Sequence, residues 1–235
     1  MGADKKQLSE VTGNQISIDS TISATESIDA MVAPFRNRIN TILDSTLAYA
    51  PKPLTKDDGD LNSSIGNLMA DIVDIQASPI FEARTGHAID FVVLNHGGIR
   101  SIVSKGKVNA RTAYQLMPFE NFIEVAEMSG DAVLELVGFL SRSKRAHPIS
   151  GMQLQLQADG TVGSLKIKGE PLDPNRTYYV ASTDYLIQGG ERIGFFKQKD
   201  SVHATDYLLR NAMIDYFKKV DTLIAEVDDR FIQLR

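Results

Sequence analysis

A continuous apolar run, Ile89-Asp90-Phe91-Val92-Val93-Leu94, does most to restrict what this chain can fold into. A short run of this kind, ended at once by turn residues, reads as a strand buried inside a sheet. It stops at Asn95-His96-Gly97-Gly98-Ile99-Arg100. The two glycines permit φ > 0 and let a ligand come close to the main chain. Arg100 adds a planar fork of donors suited to a carboxylate or a phosphate. Taken alone, the segment reads first as a tight turn whose arginine pairs with a neighbouring acid, and second as an anion site.

The rest of the pattern is built around this strand. Ser23-Ala24-Thr25-Glu26 has the form of a capping box, and Ile28, Met31, Phe35, Ile39 and Ile42 follow at helical spacing to about residue 43, with Pro34 as a kink or first-turn residue. A short strand is expected near Gln15-Ile16-Ser17-Ile18, and a loop from Ala50 to Asp60. A second helix starts at Ser63 or Ser64, with Ile65, Leu68, Met69, Ile72 and Ile75 on one face. Beyond the glycine turn, Ala110 to Tyr114 is a helix or loop. Phe122 to Met128 is a strand, and Gly130-Asp131 opens a helix to Leu140. Met152 to Gln157 alternates and turns through Asp159-Gly160 into Ser164 to Lys168 as a hairpin. A strand at Thr177 to Ala181 empties into a loop from Asp184 to Glu191. A last helix turns Leu209, Met213, Tyr216 and Val220 inward, and Asp228 to Arg235 adds an edge strand. Helices and strands mix without strict βαβ alternation, which predicts an α+β fold: a mixed β-sheet with packed helices.

A net charge of −5 argues against nucleic acid as the main partner, while leaving room for a local basic pocket and a phosphorylated small molecule. With no cysteine, disulfides and thiolate metal sites are excluded. No apolar run is long enough for a membrane span, and Met1-Gly2-Ala3-Asp4-Lys5-Lys6 lacks the apolar segment of a signal peptide. The histidines, His87, His96, His147 and His203, show no metal-ligand spacing and read as surface or turn residues. No Gly-x-Ser-x-Gly elbow is present, and the paired acids Asp57-Asp58 and Asp228-Asp229 lie in polar stretches. No complete catalytic centre is expected in this chain.

Binding chemistry is better represented. Three segments stand out: Asn95 to Arg100, Pro118-Phe119, and Tyr185 to Glu191. Arg100 suits a phosphate, Phe119 and Tyr185 could hold a base between them, and Glu191 could accept from sugar hydroxyls. Singly, each has a plainer reading: a phenylalanine after a proline is commonly a core plug, and a Gly-Gly loop is commonly only a loop.

Together, Asn95-His96-Gly97-Gly98-Ile99-Arg100, Met117-Pro118-Phe119 and Tyr185-Leu186-Ile187-Gln188-Gly189-Gly190-Glu191 resemble the C-terminal domain of 5′-nucleotidases. The resemblance extends to Ser64-Ile65-Gly66-Asn67-Leu68-Met69-Ala70-Asp71 and to Lys168-Gly169-Glu170-Pro171-Leu172-Asp173-Pro174, keeps the motif order, and covers about residues 60–235. It implies a 5′-nucleotidase C-terminal-like domain at 60–235, preceded at 1–59 by an extension and connector helix. It also implies a nucleoside or nucleotide ligand, purine favoured. Phe119 and Tyr185 take the base clamp, Arg100 an arginine position, Asn95 a polar contact beside Gly97 and Gly98, and Glu191 the ribose acid.

The family's two divalent metals sit in a separate N-terminal domain whose ligands have no counterpart here. A separately encoded metallophosphatase subunit is therefore the expected partner, in an extracytoplasmic setting. A free-standing binding module and a scaffold that has lost its ligand remain the alternatives. Three departures stand out. Leu61-Asn62-Ser63 replaces an arginine ahead of the Gly-Asn helix, so that Lys52 or Lys56 would have to substitute. Glu191 replaces aspartate in a loop lengthened by Arg192-Ile193, and Tyr185 replaces a phenylalanine.

Overall fold

The computed structural model describes residues 10–192 and 194–235. Two units divide the chain, Met1–Thr41 and Ile42–Arg235. Helix α1 (Glu26–Asp44) begins in the first. The Thr25 carbonyl accepts from the N–H groups of Ile28 and Asp29 at 3.0 and 2.9 Å, so the capping box expected from Ser23 is not the helix start. Pro34 lies inside the helix, and Ile28, Met31, Phe35, Ile39 and Ile42 are exposed. The strand expected at 15–18 does not form; among the described residues that segment pairs with no strand to take its backbone groups.

The second unit runs β1 (Thr46–Ala50), α2 (Ser64–Thr85), β2 (Phe91–Val93), β3 (Gly106–Asn109), α3 (Ala110–Leu116), β4 (Phe122–Ser129), α4 (Gly130–Ser143) and β5 (Ile149–Ser150). It continues with β6 (Met152–Leu156), β7 (Val162–Ile167), β8 (Glu170–Pro171), β9 (Thr177–Thr183), α5 (Asp184–Ile187), β10 (Lys199–Leu208), α6 (Leu209–Lys219) and β11 (Phe231–Gln233). The fold is α+β. The boundary at 59/60 expected from the sequence falls between β1 and α2 of this unit.

The main sheet has the order β10-β4-β9-β2-β5, with β2 parallel to β9 and the other pairs antiparallel. Both of its faces are covered. Val92, Ile123 and Ala181 pack with Ile65, Ile72 and Phe217 on the α2 and α6 side. Phe91, Val93 and Val180 pack with Val133, Leu136 and Phe231 on the α4 side. Because successive residues of β2 point to opposite faces, the run 89–94 feeds two cores at once. That is why it shows no polar alternation.

Two smaller sheets flank it. Strands β1 and β3 form an antiparallel pair, and β11-β6-β7-β8 is built on the expected hairpin, with β11 parallel to β6 as its edge. Neither β1, β3 nor β10 is evident from sequence. Strand β10 is a sheet edge of alternating polar residues with a bulge between Ala204 and Tyr207, where Asp206 takes φ 56°. An edge tolerates such composition because one side of it faces water. Other corrections are local. Ile75 is exposed, and α6 turns Phe217 inward, whereas Val220 lies past the helix end. The 184–191 segment holds a short helix and a 3-10 turn instead of a plain loop.

Helix α2 is anchored at its start. The Ser63 hydroxyl accepts from the Gly66 N–H at 3.2 Å, and Asp58 bonds the Ser64 hydroxyl. The same end holds the C-terminal segment. Buried Asn62 donates to the carbonyls of Asp228 and Phe231 at 2.8 and 3.0 Å, and Asn67 donates to Asn62 and to the Glu226 carbonyl at 2.8 Å each. One turn on, Asp71 takes a bidentate pair from Arg230 at 2.8 and 3.1 Å.

Candidate functional site

Strand β2 delivers Asn95 to the start of a 3-10 turn at His96–Gly98. The turn is closed by the N–H groups of Gly98 and Ile99, which donate to the Asn95 and His96 carbonyls at 3.1 and 3.2 Å. The Arg100 N–H then donates to the Leu116 carbonyl at 3.0 Å, tying the turn to the end of α3. Neither Gly97 nor Gly98 has positive φ. They are needed for space, since a Cβ on Gly97 would overlap the Glu191 carboxylate and one on Gly98 would lie 2.8 Å from Asn95 Oδ1.

Strand β9 leads into α5, whose first turn is capped by the Thr183 hydroxyl, and so carries Tyr185 to the same end of the sheet. Here the glycine pair has two different tasks. Gly189 takes φ 96°, and a Cβ on Gly190 would sit 2.5 Å from the Tyr185 ring. Glu191 follows at φ 54°, a left-handed conformation that costs a non-glycine residue about 1 kcal/mol or more. Two bonds hold it there. Its N–H donates to the Tyr185 hydroxyl at 3.1 Å, and its carboxylate accepts from Asn95 Nδ2 at 2.6 Å. The reach left open by the lengthened loop is thus decided by a left-handed residue that turns the acid back toward Asn95.

All seven residues singled out in the sequence line one cavity of about 290 Å³: Asn95, Gly97, Gly98, Arg100, Phe119, Tyr185 and Glu191. Asn121 completes the lining. It was not expected, although its position two residues after Phe119 on the same loop was a usable signal. Phe119 and Tyr185 are 44% and 46% exposed, so neither is a core plug. Among the described residues Arg100 has no acidic partner; it reaches the Gly97 carbonyl at 3.5 Å and lies 6.0 Å from the Phe119 ring centre. The cavity therefore offers two open aromatic rings, one available cation and one carboxylate. Lys52, a candidate second cation, is paired with Glu226 at 2.7 Å, whereas Lys56 donates to the Ile99 carbonyl at 3.4 Å beside Arg100.

Gly97 gives a direct test of this geometry. In Gly97→Ala the new methyl displaces the Glu191 carboxylate, the end of a flexible side chain, from Asn95. Stability is expected to move by no more than about 0.5 kcal/mol. The Asn95 side-chain amide resonances are expected to shift, and any ligand held by Glu191 to bind more weakly.

Behind the turn lies His147, buried and not at the surface as its spacing suggested. Its ring bonds Ser143 Oγ at 2.9 Å and the His96 N–H at 3.4 Å, and Nδ1 also lies 3.4 Å from the Leu94 carbonyl. Burial pushes its pKa down. The Leu94 carbonyl and Glu191 oppose that shift, while His96 and Arg145 add to it. With the folded value below that of the unfolded chain, the unfolded state binds more protons as pH falls below about 6.5. The stability contributed by neutral His147 is therefore present above that pH and lost below it. Urea unfolding of the parent between about pH 5 and 7 is expected to show a steeper loss than His147→Gln, by up to ~1.4 kcal/mol per pH unit.

Among the described residues no three His, Asp or Glu side chains gather as metal ligands, and no helix is long and apolar enough to cross a membrane.

The family model described as 5′-nucleotidase, C-terminal domain, matches residues 46–198. Protein UshA of Escherichia coli K12 is 26% identical over 212 residues, covering 88% of this chain and 37% of UshA. Cell wall protein Lmo0130 of Listeria monocytogenes is 27% identical over 209 residues, covering 79% of this chain and 26% of that protein. The chain thus spans about a quarter to two-fifths of these relatives. Among solved structures, a 5′-nucleotidase precursor from Thermus thermophilus superposes with a TM-score of 0.71 at 22% identity, covering 89% of this chain and 42% of that one.

Proposed function

The chain belongs to the 5′-nucleotidase C-terminal domain family, and on that premise we propose that it is the nucleoside-recognising half of a phosphohydrolase. One observation carries this reading: three separate segments, around Asn95, Phe119 and Tyr185, converge on a cavity with two open aromatic rings. Phe119 and Tyr185 hold the base between them, purines being favoured for their larger stacking face. Glu191, oriented by Asn95, accepts from the ribose hydroxyls. Arg100 faces the phosphate, for which its fork of donors is suited. A volume of about 290 Å³ lies at the lower edge of the ~300–1,000 Å³ range of small-molecule sites, which suits one nucleoside better than a dinucleotide.

Hydrolysis is assigned to a separately encoded metallophosphatase subunit. Two divalent ions in that partner would polarise the phosphate and activate water. This chain's own residues bind the nucleoside and orient the ester toward the partner. An extracytoplasmic setting belongs to the same reading, supported by the cell wall designation of the Listeria relative.

Asn62 favours a second reading. It belongs to the Leu61-Asn62-Ser63 stretch that stands where the resemblance calls for an arginine, and it is spent on holding the C-terminal segment. A scaffold without a ligand would look like this. Calorimetry with adenosine and AMP decides between the two. Binding of both, tighter for AMP, supports the recognition role, and no heat with either supports the scaffold. Capture of a metallophosphatase, followed by AMP hydrolysis by the pair and not by this chain alone, tests the partner.

A further inference from the structure

The wall of the cavity that carries Phe119 is a surface loop, and Pro118, Phe119 and Glu120 are all exposed. Such a loop has little packing of its own to fix an aromatic ring. Three of its carbonyls are nevertheless held from the start of α6. The Leu209 N–H donates to the Asn121 carbonyl at 3.0 Å. Arg210 Nη1 donates to the carbonyls of Pro118 and Phe119 at 3.2 and 3.3 Å. The guanidinium also lies 4.3 Å from the Tyr114 ring centre, and its Nη2 is 3.5 Å from Glu120.

Arg210 is an unusual residue to bury. It is 6% exposed, its Nε has no partner among the described residues, and the acid beside it, Glu120, is in open solvent. A buried guanidinium with an unpaired donor is costly, and an apolar side chain of similar volume would fill the space at lower cost. What the arginine supplies, and an apolar residue cannot, is an Nη1 amino group whose two hydrogens bridge two successive carbonyls while the guanidinium lies over the Tyr114 ring. Those carbonyls flank the Cα of Phe119 in the chain.

We propose that Arg210 is a positioning residue of the ligand site, which fixes the Pro118–Asn121 loop so that Phe119 stands ready to stack before any ligand arrives. It touches no ligand; it acts through Phe119. Pre-ordering one side chain is worth about three- to tenfold in affinity. The ligand arm of the test rests on the recognition role proposed above, whereas the loop arm does not.

The loop arm labels the protein with fluorophenylalanine and assigns the Phe119 resonance by its loss in Phe119→Leu. In ligand-free Arg210→Met, that ¹⁹F line is expected to move toward the solvent-exposed position and sharpen, while the thermal midpoint stays close to that of the parent. Arg210→Lys, which keeps a charged donor but lacks the guanidinium that lies over the Tyr114 ring, is expected to fall between them. In the ligand arm, Arg210→Met weakens adenosine binding about three- to tenfold, and Arg210→Met combined with Phe119→Ala is no weaker than Phe119→Ala alone.

Losses that simply add would overturn the proposal, as would an unchanged ¹⁹F line. Unfolding of both Arg210 variants would also overturn it, by making Arg210 a residue of general stability. If the parent binds neither adenosine nor AMP, the recognition role falls, and the ¹⁹F comparison still decides the clamp.

Discussion

Adenosine and AMP binding is expected to vanish from calorimetric detection in the double variant Phe119→Ala/Tyr185→Ala. Stacking on an aromatic ring is worth roughly 1–3 kcal/mol per base, so each single replacement should weaken binding about 5- to 150-fold. Both rings are close to half exposed, which separates this loss from unfolding. Neither single variant should change stability by more than about 0.5 kcal/mol, the usual range for surface positions. Tyr185 has a second role, because its hydroxyl accepts from the Glu191 N–H at 3.1 Å and the Gly190 backbone lies against its ring. Tyr185→Phe separates the two. It keeps the stacking face and removes only the hydroxyl, so it should cost less than Tyr185→Ala. Equal binding by parent and double variant would remove the aromatic clamp from the reading altogether.

The largest expected effect on stability is at Arg230. Its guanidinium makes a bidentate pair with Asp71, a second with Asp228, and a 2.7 Å bond to the Ile149 carbonyl. It thereby ties α2, β5 and the segment leading to β11 at one point, and it is only 16% exposed. In Arg230→Met the chain volume is kept while every one of these bonds is lost. Removing one member of a fully buried network costs about 3–5 kcal/mol. Here the two acids are 38% and 44% exposed and can turn to water, so about 2–3 kcal/mol is expected. For a chain of this size that lowers the thermal midpoint by roughly 5–10 °C. Urea unfolding is the measurement. A midpoint unchanged within error would mean that the C-terminal segment is held by β11 pairing, Asn62 and Asn67 without Arg230. Adenosine binding at low temperature should be unaffected, because Arg230 does not line the cavity.

What could be read without coordinates depended on how local the signal was. The buried strand at 89–94, the capped helix at 64 and the hairpin around Asp159-Gly160 each advertise themselves within a few residues, through apolar runs, cap residues and turn residues. Strand β10 does not. Most of its residues are polar, and it exists because β4 offers it an edge, a fact recorded on β4 and not on β10 itself. The apolar stripe of α1 shows the opposite failure: its spacing correctly marks a helix, and yet its apolar positions are exposed. Helical spacing speaks of local conformation and says nothing about what covers the stripe.

The site divides in the same way. The residue types that line the cavity were legible, because glycine pairs, an arginine and aromatics after turn signals are marks that a chain carries wherever it folds. How they work together was not. That Gly97 is required for space and not for φ, that Asn95 aims Glu191, and that Arg210 grips the loop of Phe119 all depend on pairs of residues about ninety or more positions apart. The Gly-Asn helix makes the contrast plainest. Its motif was visible at once, but Asn67 and Asp71 turn away from the cavity and hold the C-terminal segment. By itself the sequence determined the strand at 89–94, the capped helix at 64, the hairpin around Asp159-Gly160 and which residues have binding chemistry, since these follow from neighbours a few bonds away. Only the tertiary structure decided which of those residues face one another, because a hydrogen bond between distant positions is formed by the packing of whole elements and leaves no local pattern.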